Sequence, residues 1–299
     1  MTTKNSLATP PASLSRRLSG GLHRHPRVRL ASLLAAPLGW LVIAYLGSLV
    51  LFLISSFLQV DSFTGNVVYD LTLDNYIEIF TTDVYRVIAI RTVLMAAVVT
   101  LTTIVLAFPI AFYMAKLASA RTRGILVVSI LLPLWSGYLV KVYAWRLILS
   151  ESGVLNGVLE PLGLRGPGFG IVAVWLVETY LWLPYMIIPI FAGLERVPGS
   201  LFEASADLGG RSVFTFRRVV FPLVLPAVVA GSIFTFSLTL GDYITPTLVS
   251  NTKFLGNVVY DFVGVAGNQP FAAAYAMIPV VIMLVYLLVA RRMGAFEAL

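Results

Sequence analysis

Apolar and polar positions divide this 299-residue chain into six long apolar runs separated by short polar intervals. The runs fall at about 33–57, 88–114, 124–147, 171–194, 223–248 and 271–290, with ends defined to a few residues. A hydrocarbon core of ~30 Å takes roughly 20 helical residues, so each run is long enough to cross one. Pro109, Pro133, Pro184, Pro226, Pro246 and Pro279 lie within or near these runs. Membrane helices tolerate proline where neighbours satisfy the freed backbone groups, so these positions mark kinks. The pattern predicts an all-α polytopic membrane protein with six transmembrane helices. Residues 1–30 read differently: they are rich in Ser, Pro and Arg, contain no acid, and are expected to form a disordered basic tail. An organellar transit peptide has a similar composition. A cleaved signal peptide fits less well, because the apolar run that follows is too long and lacks a small-x-small site. The membrane domain is then 31–292, followed by a short C-terminal tail at 293–299.

Composition sharpens this reading. The chain is 59% hydrophobic and 12% charged, with a mean hydropathy of +0.91. Soluble domains are about 25% charged. There is no cysteine, which excludes disulfides and thiolate chemistry. Both histidines, His23 and His25, lie in the N-terminal tail, so no His base or His-ligated metal belongs to the membrane body. The net charge of +7 would suit a nucleic-acid surface, but its distribution points elsewhere. With the N-terminus inside, fifteen of the 21 basic residues fall on inner segments. Arg86, Arg91, Lys141, Arg146, Arg165 and Lys253 fall on the outer side. By the positive-inside rule both termini are expected in the cytoplasm, and the basic excess is an orientation signal.

This topology places the segment 195–222 inside. Ser200-Leu201-Phe202-Glu203 has the S-x-x-E spacing of a capping box, which predicts a short helix from about 201 to 208. Leu201, Ala204 and Leu208 share one face at i, i+3, i+7. Gly209-Gly210 breaks the helix, because Gly readily takes φ > 0 at a helix end. A second short helix is expected from Ser212, carrying Val213, Phe214, Phe216 and Val220, with Pro222 in the first turn of the next span. Ala204 and Ser205 are small enough for another protein to approach closely. Glu203 offers a charge to a basic group, and Phe214 and Phe216 need cover at the membrane surface. A purely structural amphipathic loop, with Glu203 as a cap, is the plainer reading.

The order Glu203, Ala204, Gly209, Val219, Pro222 resembles the EAA loop of permease subunits of bacterial ABC importers. Most of residues 30–292 fits a type I importer permease of that family. Three further stretches resemble its spermidine/putrescine branch, the first permease subunit in particular. They are Pro133-Leu134-Trp135 with Tyr143-Ala144-Trp145; Gly241-Asp242-Tyr243-Ile244-Thr245-Pro246; and Gly256-Asn257-Val258-Val259 followed by Gln269-Pro270-Phe271. Iron, thiamine and phosphonate permeases share much of this pattern. Two departures are visible: Ser205 stands for the second Ala, and Phe221 for the usual Leu before Pro222. The resemblance implies a multi-pass protein of the bacterial inner membrane. Its implied partners are a second, distinct permease subunit, two ATP-binding subunits and a periplasmic substrate-binding protein. ATP and Mg²⁺ would be held by the ATP-binding partner, with no cofactor or metal in this chain. Docking of that partner would fall to Glu203, Ala204, Ser205, Leu208, Gly209 and Phe214. The outer loops, roughly 58–87, 148–170 and 249–270, would receive the binding protein. Asp61, Asp70, Asp74, Glu78 and Asp83 give the first of these an acidic character.

Ionisable groups at membrane depth cost ~2.5–3.5 kcal/mol or more, so each is a functional candidate. Trp175, Glu178, Trp182 and Tyr185 fall on one stripe of the fourth run, and Asp242-Tyr243 lies near the end of the fifth. A carboxylate among aromatic faces suits an amine cation. Glu178, Trp182, Asp242 and Tyr243 are therefore candidate substrate-path residues. The rival reading pairs the acids with Lys141, with Arg91 and Arg146 at similar depth, and treats the aromatic stripe as packing. No G-x-x-x-x-G-K-[ST] and no G-x-S-x-G occur, so the chain is not expected to be an enzyme. An intramembrane aspartyl-type pair, Glu178 with Asp242, is the enzymatic alternative. A self-sufficient secondary transporter would call for internal repeats, and no convincing repeat relates the halves.

Overall fold

The structure is a computed structural model describing residues 26–61 and 63–294. Two compact units make it up, one ending at Ile54 and one beginning at Ser55. In the first, α1 (Pro26–Trp40) runs through a π-helical stretch, Leu41–Leu46, into α2 (Gly47–Ser55). The stretch Leu33–Ser55 is long and apolar enough to cross a bilayer. The helix begins at Pro26, inside the segment expected as a tail. Residues 1–25, with His23 and His25, and residues 295–299 lie outside the described residues.

The second unit opens with a two-stranded hairpin, β1 (Gln59–Val60) antiparallel to β2 (Val67–Val68). At its tip the Asp61 carboxylate accepts the N–H groups of Thr64 and Phe63, both at 2.8 Å. These backbone bonds hold its pKa below the usual carboxylate value. The helices that follow are α3 (Asp74–Thr81), α4 (Asp83–Phe112, extended by a π turn Tyr113–Leu117), α5 (Ala120–Trp135) and α6 (Tyr138–Leu149). Next come α7 (Val154–Leu159), α8 (Ile171–Glu195) and α9 (Gly199–Asp207). Last are α10 (Ser212–Thr215), α11 (Phe221–Gly241), α12 (Ile244–Val249), α13 (Leu255–Gly264) and α14 (Gln269–Arg292).

Among the described residues, five helices are long and apolar enough to span a membrane, and the α5–α6 pair makes a sixth if counted as one bent span. Two expectations need correction. The third run is not one continuous helix kinked at Pro133: it breaks after Trp135, and Tyr138–Leu162 continues at 95° to Ala120–Trp135. Ser136 and Gly137 are extended there, with ψ of 142° and 140°, and Pro133 lies in the turn before. The fifth span ends at Gly241 rather than near 248, because Asp242 takes an extended conformation with ψ 127°. At its other end α10, a π turn at Phe216–Val220 and α11 join into one continuous helix of 30 residues, Ser212–Gly241. The second arm of the 195–222 segment is thus the first turns of a span, not a separate helix.

The three central helices α4, α8 and α11 pack against one another. Their contact is built from Ala107, Ala111, Met186, Ile190, Val224 and Ala227, all buried. Lipid tails supply no hydrophobic drive between membrane helices, so small residues that permit close approach carry the packing. Gly193 shows this: a Cβ there would lie 2.6 Å from the Cβ of Ala227. Gly231 lies as close to Met186, where a Cβ would fall 2.9 Å from its Sδ.

Candidate functional site

The 195–222 segment is fixed by its backbone. α9 starts earlier than the spacing predicts, because the Pro198 carbonyl accepts the N–H of Leu201 at 3.2 Å. Pro198 occupies the N-cap, Ser200 is already inside the helix, and the expected capping box is not formed. The C-terminus ends as the sequence predicts. Gly209 has φ +75°, its N–H reaches the Ala206 carbonyl at 2.9 Å, and the Gly210 N–H reaches the Ser205 carbonyl at 2.8 Å. That is the Schellman pattern, which satisfies helix-end carbonyls through one left-handed residue. The two arms then close on each other. Ser205 is 7% exposed, and its Oγ lies 2.7 Å from Oγ1 of Thr215. Gly210 leaves room for this contact, since a Cβ there would sit 2.5 Å from the Ser205 Oγ.

The expected docking residues therefore divide into two groups. Glu203, Ala204, Leu208 and Phe214 face outward, Leu208 at 89% exposure. Ser205 faces inward and joins the arms, while Gly209 sets the turn. Phe216 is covered edge-on by Phe108 of α4 at 5.0 Å. Two basic side chains, Lys116 in the π turn that ends α4 and Arg123 in the first turn of α5, anchor the base of the segment. Lys116 donates to the Val197 carbonyl at 2.7 Å and lies over the Phe202 ring at 5.7 Å. Arg123 donates to the Met114 carbonyl at 3.1 Å and pairs with Glu195 at 3.0 Å.

A second constellation forms where helices break. Asp242, just past α11, caps α12: Oδ1 accepts the N–H of Ile244 at 2.9 Å and of Thr245 at 3.3 Å, and Oδ2 accepts the Thr245 hydroxyl at 2.7 Å. Tyr138, the first residue of α6, donates its hydroxyl to Oδ2 at 2.5 Å and stacks on Trp182 of α8 with centroids 5.9 Å apart. Glu178 lies one helical turn from Trp182, ~10 Å along α8 from its start. It is 1% exposed, its Oε2 has no hydrogen-bond partner, and the indole N–H of Trp182 is likewise unpartnered. Gly256 and Asn257 of α13 complete the frame. A Cβ at Gly256 would fall 2.9 Å from the Gly241 carbonyl, and the Asn257 amide donates to the Tyr243 carbonyl at 2.9 Å and to Thr247 at 2.7 Å.

No ion pair involves Glu178 or Asp242 among the described residues. Lys141 lines a separate hollow with Pro133, Leu134 and Tyr180. Arg91 donates to the Lys253 carbonyl at 3.1 Å, and Lys253 pairs with Asp261 at 2.6 Å.

With both constellations defined, the chain can be set beside known proteins. It is 43% identical over 311 aligned positions to the inner membrane ABC transporter permease protein YdcU of Escherichia coli (strain K12), covering 99% of each. The chain belongs to the ABC transporter permease family. The spermidine/putrescine transport system permease protein PotB of the same organism is 30% identical, over 84% of this chain and 92% of that one. In fold the permease matches a chain of a bacterial alginate ABC transporter crystallised with a pentasaccharide-bound periplasmic protein. The TM-score is 0.72, covering 94% of this chain and 98% of that one at 15% identity. No protein-family model matches the chain.

The chain is thus a multi-pass inner membrane permease subunit, and ATP hydrolysis belongs to a separate subunit. Permeases of this family work with a second permease, ATPases and a periplasmic binding protein. Within this permease, Tyr138 links Trp182 to Asp242, and Glu178 lies buried one turn from Trp182. Tyr243 stands slightly apart, stacked on Tyr260 at 4.9 Å. Trp175 turns to α4, where its indole N–H donates to Thr102 at 3.1 Å. Sequence reasoning missed Tyr138, Thr245, Lys116 and Arg123. A signal existed for Tyr138, which follows the Ser-Gly pair that breaks the third run. Nothing in the sequence pairs Lys116 with Val197, 81 positions away.

Proposed function

We propose that this permease subunit passes a small organic cation of the polyamine type across the inner membrane by alternating access. The observation that carries the cation reading is the buried, unpartnered Glu178 carboxylate oxygen one turn from Trp182, which Tyr138 links to Asp242. An amine bound there would gain an ion pair and a cation–π contact in a dry site. The likeness to PotB supports the same cargo class. On this reading the basic-residue distribution places both termini and the 195–222 turn in the cytoplasm. The ATPase docks there on Glu203, Ala204, Leu208 and Phe214, with Ser205 and Gly209 holding the shape. A loaded binding protein meets the loops at the other face, and the second permease is a distinct chain. ATP-driven closure of the ATPases would move the turn as a rigid body and rock the spans.

Another solute of the family, such as ferric ion, thiamine or a phosphonate, is the alternative cargo. The name of the 43% relative states no solute. The test is uptake by the complete complex in proteoliposomes with labelled putrescine, spermidine, thiamine, ferric ion and phosphonate. ATP-dependent diamine uptake is expected, reduced at least tenfold by Glu178→Gln with normal assembly. Full uptake by the assembled variant removes Glu178 from the path, and exclusive uptake of an anion refutes the cation reading.

A further inference from the structure

We infer that Tyr138 is a specificity-determining residue that stands in for the cargo ammonium and fills its subsite until a competing N–H donor arrives. The inference rests on the organic-cation reading above and goes further, naming what occupies the site in this conformation. Three contacts carry it. The Tyr138 hydroxyl donates to Asp242 Oδ2, the carboxylate oxygen not used by the two backbone caps. That oxygen has one other donor, the Thr245 hydroxyl. The Tyr138 ring lies nearly parallel to Trp182, at 10°, and covers the indole face that a cation would use. Tyr138 thus presents to Asp242 and Trp182 the two things an alkylammonium presents: an N–H-like donor and a body that stacks on the indole.

Other atoms show that the site is made for more than Tyr138. Glu178 Oε2 and Trp182 Nε1 are buried and without partners. A phenol has one proton to donate and no charge, so it satisfies Asp242 and leaves Glu178 unmatched. A primary ammonium carries three donors and a positive charge. A diamine could offer one end to Asp242 and turn further N–H groups toward Glu178. The backbone permits the exchange. Tyr138 is the first residue of α6, immediately after the extended Ser136-Gly137 link, so no continuous helix ties it to α5. A Cβ on Gly137 would meet one side-chain atom within 4 Å, Cγ2 of Val140 at 3.8 Å, so the link is not wedged in place.

Occupation by Tyr138 means that the cargo must displace a charge-assisted hydrogen bond before it binds. Tyr138→Phe keeps the ring and deletes the competing donor. In the assembled permease–ATPase complex in nanodiscs, without binding protein, this variant should bind labelled putrescine about tenfold more tightly, the scale of one hydrogen bond to a charged group. Asp242→Asn should abolish that gain, so that the double variant binds as Asp242→Asn alone. A residue with a merely structural role would leave binding unchanged or weaken it on removal of the hydroxyl, and either result overturns the inference. A second measurement does not depend on the folding of the Phe variant. In the wild-type complex, saturating putrescine should change the tryptophan fluorescence as the Tyr138 ring leaves the face of Trp182. No change at saturation sinks the inference. Wild-type uptake separates the two levels. If the wild type imports putrescine and Tyr138→Phe binds it no better, the inference fails alone. If the wild type imports no diamine, the cation reading fails and takes the inference with it.

Discussion

The turn at 195–222 and the cluster around Tyr138 solve opposite problems. In the turn, backbone groups close on one another: Gly209 and Gly210 return the helix-end carbonyls of α9, and Ser205 meets Thr215 across the fold. Glu203, one of its exposed charged groups, faces outward. In the cluster, four elements meet and the account does not close. Asp242 is saturated with donors, while Glu178 Oε2 and Trp182 Nε1 have none. A buried polar atom without a partner costs about 1–3 kcal/mol, and more if charged. The turn is therefore built to keep a shape, and the cluster to exchange partners. Substitutions in the first should damage coupling through geometry; those in the second should damage cargo handling through chemistry.

The largest effect is expected at Asp242, where both problems meet. Asp242→Ala removes the acceptor of two backbone N–H groups and two hydroxyls. Uptake should fall more than ~100-fold, with a loss of at least 2 kcal/mol in stability, taking about 1 kcal/mol or more for each stranded donor. Thermal unfolding of the purified complex reads the stability. Asp242→Asn keeps an acceptor oxygen, and should recover much of the stability while uptake stays low. Equal recovery of both would mean that Asp242 only caps α12.

Gly209 should come next. Its φ of +75° costs an L-residue roughly 1–2 kcal/mol, more if β-branched. Gly209→Val should weaken ATPase retention on purification and cut uptake by about tenfold. Gly209→Asn, which tolerates the left-handed region, should lose far less. If both behave alike, the turn's conformation is not what matters. Glu203→Lys should spare folding, because Glu203 is exposed, yet lower transport per ATP hydrolysed severalfold. Unchanged coupling with normal ATPase association would remove Glu203 from the docking surface.

The two regions also differ in how far the sequence exposed them. The Gly209-Gly210 break was readable because a φ constraint is local and glycine is its signature. The membrane runs were readable because the bilayer demands length and apolarity. The start of α9 was misjudged: S-x-x-E spacing favours a capping box, but Pro198 sits one position ahead of the helix and claims the cap. The third span reads as one helix, kinked at Pro133, because its 124–147 hydropathy is continuous across Ser136-Gly137, and hydropathy is indifferent to a break and a 95° bend. Glu178, Trp182 and Asp242 could be named from cost and spacing. Their common partner could not, since Tyr138 reaches Asp242 across 104 positions and through that bend.

The smallest effect tests whether the turn needs its side chains at all. Ser205 replaces an alanine usual for the EAA pattern, and its hydroxyl contacts Thr215 in a buried place. If the Schellman backbone carries the shape alone, Ser205→Ala should cost almost nothing. Should the side-chain bond share that task, the loss should be ~0.5–1.5 kcal/mol, the net value of a hydrogen bond. The lower half of that range is expected. Thr215 Oγ1 also lies 3.3 Å from the Arg211 carbonyl and keeps a partner when Ser205 is truncated. A double-mutant cycle with Thr215→Val separates the terms. Equal destabilisation in Ser205→Ala, Thr215→Val and the pair would assign the loss to their mutual bond. Additive losses would mean that each residue is held by something other than the mutual bond, and no loss in either would leave the glycines as the determinants of the turn.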